Sequence, residues 1–134
     1  MDAFSCKSGD AAQRAIEGLY QEGFLLHTDE RYAEAAAHFR AMLRAAPTDE
    51  RGWLALGDCH EKLGQLRVAL ELYSAGTIAA EPAPRCLLSR FRVLYDMNRP
   101  TDAERAYDQA LEIATWREDD ALGSIIENER RIRP

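Results

Sequence analysis

Three histidines and three cysteines carry the side chains of this chain best suited to metal ligation or nucleophilic attack. Their spacing supports neither. Cys59 and His60 are neighbours, so on a helix they point about 100° apart and cannot grip one ion together. His27 and His38 fall in different segments, without a paired acid or thiol at ligand spacing. Cys6, Cys59 and Cys86 are an odd number with no pairing pattern, as expected of reduced thiols. The chain has no glycine-rich phosphate loop, no nucleophile elbow and no HExxH helix. These residues point away from an enzyme, and neither a metal nor another cofactor is expected.

Composition narrows the remaining classes. A chain of 134 residues is long enough for one domain with a real core. It is 46% hydrophobic and 30% charged. Ala, Leu, Glu and Arg dominate while Val and Ile are scarce, which favours helix over strand. The net charge of -6, with no concentrated basic patch, argues against a nucleic-acid partner. No apolar run approaches the ~20 residues that span a bilayer, and no signal-peptide core stands at the N-terminus. The expected location is the cytoplasm, without membrane insertion.

The pattern of apolar residues predicts an all-α chain. Met1 to Gly9 is aperiodic and reads as a tail, after which Asp10 and Gln13 resemble a reciprocal helix cap. Ala12, Ile16, Leu19, Tyr20, Gly23 and Phe24 recur at helical spacing as far as His27. Thr28, Asp29 and Glu30 break this helix and cap a second, which carries Tyr32, Ala35, Phe39 and Met42. Thr48, Asp49 and Glu50 open a third, with acids where the helix dipole favours them. It runs to Leu63, and Gly64 turns the chain into a fourth. Pro82 and Pro84 separate the fourth from a fifth spanning Cys86 to Met97. Thr101 to Glu104 reads as a capping box for a sixth, and Glu118 to Asp120 opens a seventh with Leu122, Ile125 and Ile126 on one face.

A period of 34 residues organises these helices. The stretch Gly52-Trp53-Leu54-Ala55-Leu56-Gly57, followed by Ala69 and Tyr73, is the W-x2-L-G…A-x3-F signature of the tetratricopeptide repeat. The alanine recurs as Ala35, Ala69 and Ala103, and the aromatic as Phe39, Tyr73 and Tyr107. The predicted architecture is three tandem helix-turn-helix repeats at 16–49, 50–83 and 84–117, preceded by residues 1–15 and closed by a capping helix at 118–134.

In such stacks the first helix of each pair lines a concave groove. The period turns Glu17, Tyr20, Phe24, His27 and Thr28 inward in the first repeat. In the second it turns Arg51, Leu54, Ala55, Asp58 and Glu61 inward, and in the third Arg85, Leu88, Ser89, Arg92 and Tyr95. A trough of this kind suits the apolar side chains of an extended peptide. Tyr20 and Phe24 have a second reading, as core staples between helices. A carboxylate clamp of the kind that grips heat-shock protein C-termini is not expected, because only Arg85 could serve it.

Several segments go beyond the generic repeat. They are Leu19 and Tyr20 with Phe24 and Tyr32; Asp49 and Arg51 before Leu54 and Gly57; Cys59 with Leu63, Gly64 and Gln65; Tyr73, Ser74 and Gly76; Pro84 and Arg85; and Ala103 with Glu104. In these the chain resembles the class II chaperones of bacterial type III secretion, over roughly Leu19 to Ala114. The resemblance implies an all-helical cup whose concave groove binds an extended N-terminal segment of a hydrophobic translocator protein and keeps it soluble before export. It places Tyr20, Phe24, His27, Leu54 and Asp58 at or near the peptide pockets, Tyr32 in support, and Trp53 and Tyr73 in the framework. Leu88 and Arg92 complete the expected groove from the third repeat. Family members often carry an aromatic where His27 stands and a small residue where Asp58 stands. Homodimer formation stays open. The alternative function is a regulatory adapter that sequesters a transcription activator or an assembly component.

Overall fold

The computed structural model describes the backbone of residues 3–134 and the side chains from Gly9 onward. Seven helices fill the described residues: α1 (Ala3–Thr28), α2 (Tyr32–Ala45), α3 (Glu50–Lys62), α4 (Leu66–Ala79), α5 (Pro84–Asp96), α6 (Pro100–Trp116) and α7 (Asp120–Ile132). α1 packs on α2, α3 on α4 and α5 on α6, while α2 with α3 and α4 with α5 join one pair to the next. α7 closes the stack against α6.

The repeat shows most plainly in the turns. Glu30, Gly64 and Asn98 take left-handed backbone with φ of 61°, 77° and 63°. The next residue in each case, Arg31, Gln65 or Arg99, donates its N–H five residues back, to Leu26, His60 or Leu94. Each first helix therefore ends in the same bonded left-handed cap, which satisfies carbonyls that the helix leaves open. Only Gly64 among the three adopts that conformation without steric cost.

Packing follows the same register. Ala35, Ala69 and Ala103 are at most 1% exposed, small enough to let paired helices approach closely. Phe39 and Tyr73 fill the space beside them. A Cβ on Gly57 would lie 2.3 Å from Tyr73 Cε1, so the backbone of α3 sits directly on that ring. In the third repeat Phe91 replaces this glycine, and its ring meets Tyr107 at a centroid distance of 5.2 Å instead. Trp53 donates from Nε1 to the Pro47 carbonyl at 2.8 Å, pinning α3 to the turn before it.

Helix starts depart from expectation in four places, one of them α5, which begins at Pro84 rather than Cys86 because proline suits a first helical turn. α1 is already helical at Ala3, so the expected tail up to Gly9 is helix, while Met1 and Asp2 lie outside the described residues. No proline interrupts this run, and a glycine inside a helix costs only about 1 kcal/mol. α2 starts from Arg31 without a side-chain cap, because Thr28 Oγ1 donates back to the Phe24 carbonyl. α6 starts at Pro100 rather than from a capping box, and Glu104 is taken by Arg130 of α7 at 2.5 and 2.7 Å. The Arg130 guanidinium gives the Glu104 carboxylate two charged hydrogen bonds where the cap would give one backbone N–H, and proline is already shaped for a first helical turn. Asp49 and Asp119 do cap α3 and α7, accepting from the N–H groups of Arg51 and Leu122. On α7, Leu122 and Ile126 are buried but Ile125 and Ile132 are exposed.

Candidate peptide-binding groove

Helical spacing brings the groove residues onto one side. Tyr20, Phe24 and His27 follow one face of the C-terminal half of α1, and Arg51, Leu54, Ala55 and Asp58 follow one face of α3. With Phe39 beneath them and Arg85 at the start of α5, they line an open trough of about 480 Å³. Five of the expected site residues, Tyr20, Phe24, His27, Leu54 and Asp58, thus meet in one place.

The floor is apolar. Tyr20 packs a tilted ring on Phe39 at 6.0 Å while its other side faces the trough. Phe24 is 57% exposed, so it stands at the rim and is no core staple. An exposed aromatic beside a concave apolar floor offers contact area that costs little conformational entropy to order.

The walls are charged but mostly paired. Arg51 lies 4.7 Å above the Tyr20 ring and donates to Asp49 at 2.8 Å and Glu17 at 2.7 Å. These hydrogen bonds hold the Glu17 and Asp49 carboxyls below the usual carboxylate range and push the Arg51 guanidinium further up. At the opposite end His27 Nε2 lies 2.5 Å from Asp58 Oδ2. A carboxylate only accepts, so the imidazole carries its proton on Nε2. Tyr32 does not line the trough; its ring meets His27 edge-on at 5.0 Å and holds the imidazole in place. Arg85 has no carboxylate within ion-pair distance among the described residues. Its backbone N–H donates to Glu50 Oε2 at 3.2 Å, and that of Cys86 to the same oxygen at 3.4 Å. Burial raises the Glu50 carboxyl, and these two donors work against the rise.

Leu88 and Arg92 do not join this trough. Leu88 is 8% exposed and packs in the core with Leu87 and Phe91. Arg92 donates from Nη2 to Glu61 Oε1 at 2.5 Å, and Tyr73 Oη donates to the same oxygen at 2.6 Å. Burial is the largest single influence on Arg92 and pulls it down, but the charge and hydrogen bond of Glu61, with smaller help from Tyr73 and Glu129, together turn the net direction up. Burial first, and then the bond to Glu61, pushes Tyr73 up. This three-residue network ties α3, α4 and α5 together. Arg51, Ala55 and Arg85, which the period turns inward, also line the trough, and Phe39 joins them from α2 although its place in the repeat marks it only as framework. The signal for the first three was the period itself, which sets Arg51 and Arg85 at equivalent inward positions and leaves Ala55 beside Leu54.

The two cysteines with described side chains are buried. Burial pushes the Cys59 thiol up to about 11 and the Cys86 thiol up to about 12, so neither is a thiolate at neutral pH and neither is an activated nucleophile. Among the described residues, no helix is long and apolar enough to cross a membrane.

Comparison with known proteins agrees with this geometry. The family model for the tetratricopeptide repeat matches residues 26–87. The low calcium response locus protein H of Yersinia pestis is 32% identical over 82 residues, which are 56% of this chain and 49% of that protein. The chain therefore spans about half the length of the curated relatives it matches. The solved type III secretion translocator chaperone SycD of Yersinia enterocolitica superposes with a TM-score of 0.76 at 25% identity, over 85% of this chain and 86% of that one. The tetratricopeptide-repeat match thus covers a little under half of the chain, and the chain as a whole has the fold of the solved translocator chaperone. PcrH, solved in complex with the chaperone binding region of PopB, is 25% identical with a TM-score of 0.74, covering 84% of this chain and 92% of its own. A translocator-chaperone fold accounts for the inward position of the first helices, because their faces are the ones left open by the stacking of the pairs.

Proposed function

We propose that this protein is a chaperone of type III secretion that holds an extended segment of a hydrophobic translocator in the trough between α1 and α3. The observation that carries this reading is the meeting of Tyr20, Phe24 and Leu54 over Phe39 in one open apolar trough. Relatives with this fold, such as PcrH, have been solved with the chaperone binding region of a translocator. The trough accepts apolar side chains, while Arg85 is free to meet a carboxylate or a carbonyl of the bound segment. Covering an apolar segment in this way stabilises the soluble form of the client by mass action and needs no turnover. The cytoplasm, where a translocator awaits export, is the compartment that this role requires.

The test is co-expression with each apolar membrane-active protein encoded beside this chain. A client that becomes soluble and co-purifies, and is lost with Leu54→Asp, supports the reading. Failure of every such candidate to be solubilised rejects it.

A further inference from the structure

The most exposed large apolar side chains among the described residues lie outside the groove. Ile78 and Trp116 are each 80% exposed, more than any other large hydrophobic residue described. They stand at either end of a trough between the end of α4 and the C-terminal half of α6. Two cavities, of about 720 and 520 Å³, share Pro82, Glu112 and Ile113 and so form one continuous depression. Its apolar lining is Ile78, Pro82, Leu111, Ile113 and Trp116. Glu81, Asp108 and Glu112 border it, and none of these three has an ion-pair partner among the described residues. Arg90 is the one cation along it, with its Nε buried and unpartnered.

This surface is not a by-product of the repeat. One period earlier, the groove between α2 and α4 has Arg44 in place of Ile78, Ser74 in place of Asp108, Thr77 in place of Leu111 and Ala79 in place of Ile113. The equivalent surface lacks the acidic border, since Pro47, Ser74 and Ile78 stand where Glu81, Asp108 and Glu112 do. Stacking alone does not require that border, and a contiguous exposed apolar patch rimmed by charge marks an interaction site.

We infer that this convex trough is a second docking site, taking an amphipathic segment of a partner protein whose apolar face is bordered by Lys or Arg. Unpaired carboxylates on both sides of an apolar floor complement that chemistry and repel an acidic segment. A second copy of this chain is the poorer fit, since it brings a net charge of -6 to an acidic border. The site leaves the concave groove open, so the two faces can be occupied together.

The full chain is titrated with a helical peptide of about 18 residues built from Leu and Lys at amphipathic spacing, and with its Leu and Glu counterpart. Side-chain NMR reads the Trp116 indole and the Ile78 and Ile113 methyls. The Leu/Lys peptide is expected to shift these signals while the Trp53 indole stays in place. The Leu/Glu peptide should bind at least about tenfold more weakly. The double variant Ile78→Ser with Trp116→Ser should lose binding with an unchanged melting temperature, because both side chains are exposed. Equal binding of both peptides, shifts confined to other surfaces, or full binding by the double variant overturns the inference. So does a concentration-dependent dimer in sedimentation that the double variant abolishes, since that assigns the trough to a second copy.

Discussion

His27 of α1 and Asp58 of α3 face each other across the end of the groove, Nε2 to Oδ2 at 2.5 Å. Each departs from the residue type usual in the family that the sequence resembles, and the structure joins the two departures into one interaction. The pair links the first repeat to the second, and its side chains are 27% and 35% exposed. Removing either partner leaves the other half-buried and alone. Asp58→Ala and His27→Phe are each expected to destabilise the fold, with the double variant recovering about 0.5–1 kcal/mol in a double-mutant cycle. Urea denaturation of the four proteins measures this. Strictly additive losses would mean that the pair contributes only proximity.

Tyr20→Ala and Leu54→Asp test the trough. Tyr20 supplies a large apolar surface, and Leu54→Asp places a carboxylate on an apolar floor. Client-segment affinity should fall about tenfold or more for each. Leu54 is only half-buried, so the melting temperature of Leu54→Asp should change less than that of a core variant. Fluorescence anisotropy with a labelled client segment reads the first effect and calorimetry the second. Undiminished affinity in both variants would move the binding face elsewhere.

Phe39→Ala and Gly57→Ala test the framework. Phe39 is 2% exposed beneath the trough, and truncating it is expected to cost about 3–5 kcal/mol. Gly57→Ala forces a Cβ into the Tyr73 ring, an overpacking expected to cost about 1–3 kcal/mol. Denaturant unfolding measures both. A neutral Gly57→Ala would show that α3 and α4 can separate without loss.

Acid should weaken the Arg51 cluster. The folded-state values of Glu17 and Asp49 lie below their ordinary range, chiefly through hydrogen bonds from Arg51. Their contribution is therefore fully present above the ordinary carboxylate values, near pH 4, and is lost as pH falls through the lowered ones. In Arg51→Gln the two carboxyls lack this partner, so the stability gap between variant and parent should narrow from pH 6 towards pH 3. Unfolding midpoints across that range give the answer. A gap that widens on acidification contradicts the assignment.

Much of this was legible in the residue order. The alanine and aromatic positions that recur every 34 residues specify three helix pairs, since each pair leaves an apolar face that only a neighbour can cover. Helical spacing also fixed the side of α1 and α3 on which Tyr20, Phe24, His27, Leu54 and Asp58 lie. Boundaries were less legible. The box at Thr101 to Glu104 reads as a cap only while Arg130 is out of sight, for that residue is distant in sequence and adjacent in space.

The sequence by itself determined the repeat, the all-helical class and the inward faces of the first two first helices, because these depend on spacing along one helix. Tertiary structure decided which inward residues stay free. Arg92 is drawn off by Glu61 and Tyr73, Leu88 sinks into the core, and His27 is claimed by Asp58. It also decided that Ile78 and Trp116, far apart in the chain, share one exposed trough. Such outcomes depend on which distant partner reaches a side chain first, and periodicity holds no record of that.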